Sequence, residues 1–114
     1  MPDVLDEKEL AEEYEDDTEL LSEMMASFYE TAPQLLDEMR SAIASGDADV
    51  LTSAAHKIKG SSGNFFAKAA YDLAFRLEQK GNSGNLDGAD ADCEQLATEL
   101  DRLKEALQQF IDSH

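Results

Sequence analysis

Apolar residues recur along most of this chain at three- and four-residue spacing, the period of one buried helix face. The run Leu21, Met25, Phe28, Ala32, Leu35, Met39 and Ile43 predicts a long helix that starts near Thr18, with Asp17 or Thr18 as N-cap. Pro33 falls inside it, and a ring that blocks a backbone hydrogen bond predicts a kink or break there. Ser45-Gly46-Asp47 supplies a stop and a fresh cap. The next helix carries Leu51, Ala54, Ala55 and Ile58 and ends in a turn near Gly63 to Ala67. A further helix places Ala70, Leu73, Ala74 and Leu77 on one face, and the polar stretch Lys80 to Gly88 reads as a loop. The last helix repeats every seven residues through Cys93, Leu96, Leu100, Leu103, Leu107 and Phe110. Residues 1–16 form an acidic segment that is either a short helix, centred on Leu5 to Tyr14, or partly disordered. Strand-like alternation is missing. The predicted fold is all-α: an antiparallel up-and-down four-helix bundle over residues 17–114, with a short additional N-terminal helix.

Composition narrows the class. A chain of 114 residues supports one compact domain. It holds no apolar run of about 18 residues, so no transmembrane helix is expected. The acidic N-terminus lacks the basic start and apolar stretch of a signal peptide, which predicts a cytoplasmic protein. Cys93 is the single cysteine, which excludes an intramolecular disulfide and points to a buried structural thiol.

Charge changes the picture more. The formal net charge is −17, which argues against nucleic acid and anionic membranes as partners. Residues 1–38 hold fourteen acids and one base, Lys8. Residues 50–85 hold two acids, Asp72 and Glu78, and five bases: Lys57, Lys59, Lys68, Arg76 and Lys80. That positive island is either an unevenly charged solvated surface or a site for something negative.

His56 sits in the island, in the stretch Ala54 to Phe66, "AAHKIKGSSGNFF"; the other histidine is the last residue, His114. At about 100° per residue, Leu51, Ala54, Ala55 and Ile58 define a core face, and His56 lies about 140° from Leu51. Lys59, Gly60 and Gly63 lie beside it. Glycine inside a helix costs about 0.5–1 kcal/mol relative to alanine. Gly60 therefore suggests close approach by another surface, and Gly63 either that or a helix cap. No second histidine or cysteine stands at ligand spacing, so no metal site is expected. Ser61 and Ser62 are close to His56, but no carboxylate within one helical turn would orient the ring for a Ser-His pair. Residues Ser83 to Glu94 match a calcium loop poorly, because Ser83 and Asp90 stand at the first and eighth places.

The segment "AHKIKGSSGN", Ala55 to Asn64, resembles the core motif of histidine-containing phosphotransfer domains, the Hpt family. That pattern is a histidine, an apolar residue two on, lysine three on, glycine four on, then two small residues. His56, Ile58, Lys59, Gly60, Ser61 and Ser62 match each place. The preceding helix, with its internal proline and final Gly-Asp, and the following "LAFRLEQKG" are similar too, so the likeness covers roughly residues 17–112.

The resemblance implies a phosphorelay intermediate. A receiver-domain aspartyl phosphate would pass its phosphoryl group to His56, and His56 would pass it to another receiver. Lys59 would offset charge on the phosphoryl oxygens, and Gly60 would leave room for the receiver. Glu78, twenty-two residues after His56, matches the family's ring-orienting residue, or else it is a surface glutamate pairing with a lysine. Lys57 and Lys68 would add longer-range attraction. Phe75, like Tyr71, belongs either to an apolar docking patch or to packing on the N-terminal helix. No cofactor of the chain's own is implied; Mg²⁺ belongs to the receiver. The partners implied are receiver domains of response regulators or hybrid kinases, met by a monomer. Phe66 departs from the pattern, since the family commonly has glycine there.

Two other assignments compete with this one. In the phosphoacceptor domain of a histidine kinase an acidic residue normally follows the histidine, whereas Lys57 does here, and no ATP-binding domain fits in the chain. The remaining alternative is a non-catalytic acidic helical adapter that binds receiver or kinase domains without phosphotransfer.

Overall fold

A computed structural model describes residues 4–113. Residues 1–3 of the acidic segment and residue 114 of the predicted bundle lie outside the described residues. Five helices follow one another: α1 Glu7–Tyr14, α2 Thr18–Ser45, α3 Ala48–Asn64, α4 Lys68–Ser83 and α5 Ala89–Ser113. No strand occurs among the described residues.

The helix starts follow from local chemistry. Asp6, Asp17 and Asp47 each accept a hydrogen bond from a backbone N–H in the first turn, at Glu9, Leu20 and Val50 respectively. Each such cap stabilises its helix by about 1 kcal/mol. Gly46 and Gly84 close α2 and α4 in the left-handed region, at φ 75° and 76°, where a Cβ would be strained.

Helix α2 runs through Pro33 as one element, so of the expected kink or break the break does not occur. The proline removes one backbone bond, but apolar residues on both sides of it remain buried, and that packing holds the helix together. The stripe also drifts from the predicted one. Leu36 and Ala42 are buried where Leu35 and Ile43 were expected, and these two are only partly covered. The cause is 3.6-residue periodicity carried over 28 residues. The predicted polar loop is shorter than expected, because α4 continues to Ser83.

Helices α2, α3, α4 and α5 touch in a closed cycle, and the α3–α4 seam is the most extensive. The core residues of the third and last predicted helices are buried as expected, Cys93 included. Leu5, Leu10 and Tyr14 enter the same core, so α1 is docked on the bundle.

The α3–α4 turn is the least ordinary part of the backbone. Helix α3 passes through Gly63 and ends at Asn64, so Gly63 is not its cap. Phe65 is buried and its ring meets Phe28 at a centroid distance of 5.3 Å. Phe66 takes the left-handed conformation, φ 55°, that the glycine common in similar sequences would take freely. It is partly buried against the core, and the Asp6 backbone N–H donates to its carbonyl oxygen at 2.9 Å. The Tyr14 hydroxyl donates to the Asn64 carbonyl in the same turn. Packing and these bonds hold a conformation that costs a non-glycine residue about 1–2 kcal/mol.

Two substitutions separate these contributions. Phe65→Ala should lower the unfolding free energy by about 3–5 kcal/mol. Phe66→Gly should change it by less than about 1 kcal/mol, because relief of strain offsets lost packing. Equal large losses in urea denaturation would show that the Phe66 ring, and not its backbone strain, dominates the turn.

Candidate functional site

His56 lies in the third turn of α3, between buried Ala55 and Ile58, which fix that helix face against the core. Its side chain is 67% exposed, as the helix geometry required. Glu78 projects from α4 toward the same place, with a side chain only 12% exposed. Its Oε2 lies 2.6 Å from His56 Nδ1, and its Oε1 accepts a hydrogen bond from Lys59 Nζ at 2.7 Å. One carboxylate therefore serves two residues that stand one helical turn apart on α3.

This arrangement decides the ring's tautomer. An ionised carboxylate only accepts hydrogen bonds, so Nδ1 must carry the proton that bridges to it. In the neutral ring Nε2 then holds a free lone pair. Glu78 stays ionised because the bond from Lys59, and after it the bond from His56, hold its carboxyl below the usual range despite partial burial. Lys59 is correspondingly held above the usual lysine value by its bond to Glu78.

Lys59 is more confined than the sequence suggested. Its side chain is 19% exposed, and Nζ lies 5.2 Å from the centroid of the Phe75 ring, a cation–π contact. Phe75 itself is 42% exposed on α4, as an apolar docking patch would require. Tyr71, one turn earlier, is also exposed at the surface, and its ring covers Gly63: a Cβ there would lie 3.6 Å from it. That is ordinary van der Waals contact, so Tyr71 does not by itself require glycine at position 63. Gly60 differs, because nothing lies within 4 Å of where its Cβ would be. Lys57 is exposed and lines a groove with His56, Thr52, Ser53, Glu78 and Asn82. Lys68 is solvent-exposed and pairs with Asp72 at 3.2 Å, an arrangement of little energetic weight.

Two features near the site had no clear signal in the sequence. Gly81 lies inside α4 and not in a loop, packed directly against the backbone of α3. Asp92, in the first turn of α5, is buried and accepts from Lys80 at 2.6 Å and Arg76 at 3.1 Å. Burial pushes its carboxyl up, but these two bonds outweigh burial and hold it below the usual range. The clamp uses two cations one turn apart on α4, so part of the positive island is internal structure. The spacing of Arg76 and Lys80 was the only hint. No group of three potential metal ligands occurs among the described residues.

The Hpt domain family model matches residues 23–106, and this span contains His56, Lys59 and Glu78. The chain belongs to the Hpt family. Its fold also matches the crystal structure of histidine-containing phosphotransfer protein B from Pseudomonas aeruginosa PAO1. The TM-score is 0.88 at 25% sequence identity, over 100% of this chain and 99% of that one. No curated protein sequence matches. As an Hpt protein the chain serves in histidine phosphotransfer within a two-component phosphorelay, where Hpt domains interact with receiver domains. No helix of the described residues is long and apolar enough to cross a membrane.

The shared carboxylate makes a prediction about pH. Glu78, lowered in the folded state, stabilises the fold above its unfolded pKa, and this contribution is lost as pH falls through the folded value. Lys59, raised in the folded state, contributes fully below its unfolded pKa and loses that contribution as pH rises through the folded one. Glu78→Gln should therefore lower the urea midpoint near neutral pH, and the gap should narrow on acidification to about pH 3. A constant gap across that range would show that the carboxylate's charge is not what the fold uses.

Proposed function

We propose that His56 Nε2 is the phosphoryl acceptor and donor, with Glu78 orienting the ring and Lys59 balancing charge. The observation that carries this is the pairing of an exposed imidazole with a partly buried carboxylate on Nδ1, which leaves Nε2 directed to solvent chemistry. In the forward step the Nε2 lone pair forms a bond to phosphorus as the bond from phosphorus to the receiver's aspartate oxygen breaks. The electron pair of that bond leaves with the aspartate. The ring keeps its Nδ1 proton and becomes cationic, and the Glu78 carboxylate stabilises that charge. Transfer onward is the reverse, with a second receiver's aspartate oxygen as nucleophile. Such transfers depend on in-line positioning and on charge stabilisation more than on proton chemistry.

The remaining parts of the proposal concern access. Gly60 leaves open space beside His56 for the approaching receiver, while exposed Phe75 and Tyr71 give it an apolar surface. Lys57 and Lys68 add attraction toward an acidic receiver cleft. Mg²⁺ is held by the receiver. The closed cycle of helix contacts fits an antiparallel up-and-down bundle of α2 to α5. The proposal takes the chain to act as a cytoplasmic monomer.

The test mixes the purified protein with a phosphorylated receiver and Mg²⁺. Acid-labile phosphate should appear on the chain and be absent from His56→Gln. Lys59→Ala should remain folded and transfer on the order of 10²-fold more slowly. Failure of the unmodified protein to label across a broad receiver panel would favour the adapter instead. An unchanged rate in Lys59→Ala would remove Lys59 from the mechanism.

A further inference from the structure

The α3–α4 seam leaves no room for a side chain at a point one helical turn from the site. Gly81 stands three residues after Glu78 on α4, and it faces Thr52, four residues before His56 on α3. A Cβ at Gly81 would run into the Thr52 Oγ1, which donates to the Ala48 carbonyl at 2.9 Å. It would also lie 2.9 Å from the Ala48 carbonyl oxygen and 2.9 Å from the Thr52 backbone nitrogen. Rotating the Thr52 side chain could relieve the first conflict. The other two are with helix backbone and yield only if the helices move apart.

We infer that Gly81 is a positioning residue, which sets the α3–α4 separation that lets Glu78 reach His56 Nδ1 and Lys59 Nζ together. The 2.6 and 2.7 Å bonds have little slack, and both cross the seam that Gly81 narrows. Arg76 and Lys80 also tie α4 to Asp92 of α5. A methyl group at position 81 therefore opens the α3 contact, because the α5 contact is tied. Helix propensity alone would favour alanine at this interior position by about 1 kcal/mol. The close contact is what makes glycine the fitting residue.

The catalytic consequence rests on the phosphotransfer roles proposed above, but the spacing can be tested without them. In full-length Gly81→Ala, NMR titration should show the Glu78 carboxyl displaced upward toward an ordinary glutamate. Transfer from a phosphorylated receiver should fall at least about tenfold in its maximal rate, with little change in the receiver concentration needed for half-saturation. Gln79→Ala, an exposed change on the same helix, should alter neither. Adding Thr52→Ala to Gly81→Ala removes the hydroxyl conflict and gives a milder variant should the single one not fold.

A folded Gly81→Ala with the Glu78 titration and transfer rate of the unmodified protein would overturn the inference. A displaced titration with unchanged transfer would uphold the spacing role and overturn the proposed role of Glu78 in the reaction. Loss of folded structure in both variants would assign Gly81 to stability alone and overturn the positioning role.

Discussion

The site depends on one carboxylate shared across one helix seam. Glu78 reaches from α4 to α3 and there holds both the ring of His56 and the ammonium of Lys59. Remove that carboxylate and His56 becomes a freely turning surface imidazole, while Lys59 loses the partner that keeps it beside Phe75. A charge-assisted hydrogen bond to a confined acceptor is worth more than an exposed ion pair, because fewer competing waters and rotamers are available. The ring is exposed, yet its orientation is set from the protein side.

The rest of the fold can be understood as support for that seam. Ala54, Ala55 and Ile58 press α3 into the core and leave His56 outward. Asp92 fixes α4 from α5 by holding Arg76 and Lys80, which limits how α4 can roll. The α3–α4 turn is closed at one end by Phe65 and Phe66 and tied to the N-terminal helix through Asp6 and Tyr14. The acidic remainder of the chain, −17 in net charge, leaves a local positive patch around the histidine and repels polyanions elsewhere.

Much of this was legible in the sequence because helix periodicity and the His56 motif are local signals. The four long helices, the cap at Asp47, the outward histidine and the buried Cys93 all follow from spacing a few residues long, whereas that spacing leaves open the N-terminal helix and the choice of Asp17 over Thr18 as cap. The resemblance to Hpt domains pointed to Glu78. Features set by contacts between distant segments were not legible. Gly81 looked like a loop residue because glycine beside asparagine and serine usually is one, and only the α3 backbone explains it inside a helix. Asp92 carried no signal of its own in the sequence, because its burial depends on two cations from another helix. Pro33 failed to break α2 because packing on both sides outweighed the lost bond.

The most direct test of the account is to identify which ring nitrogen carries the phosphoryl group. Nitrogen-15 NMR of the phosphorylated protein, with labelled histidine, distinguishes the two sites. The shared carboxylate predicts phosphorus on Nε2 of His56, with Nδ1 still protonated and facing Glu78. Phosphorus on Nδ1 would contradict the account, because that nitrogen would have to leave Glu78 before it could react.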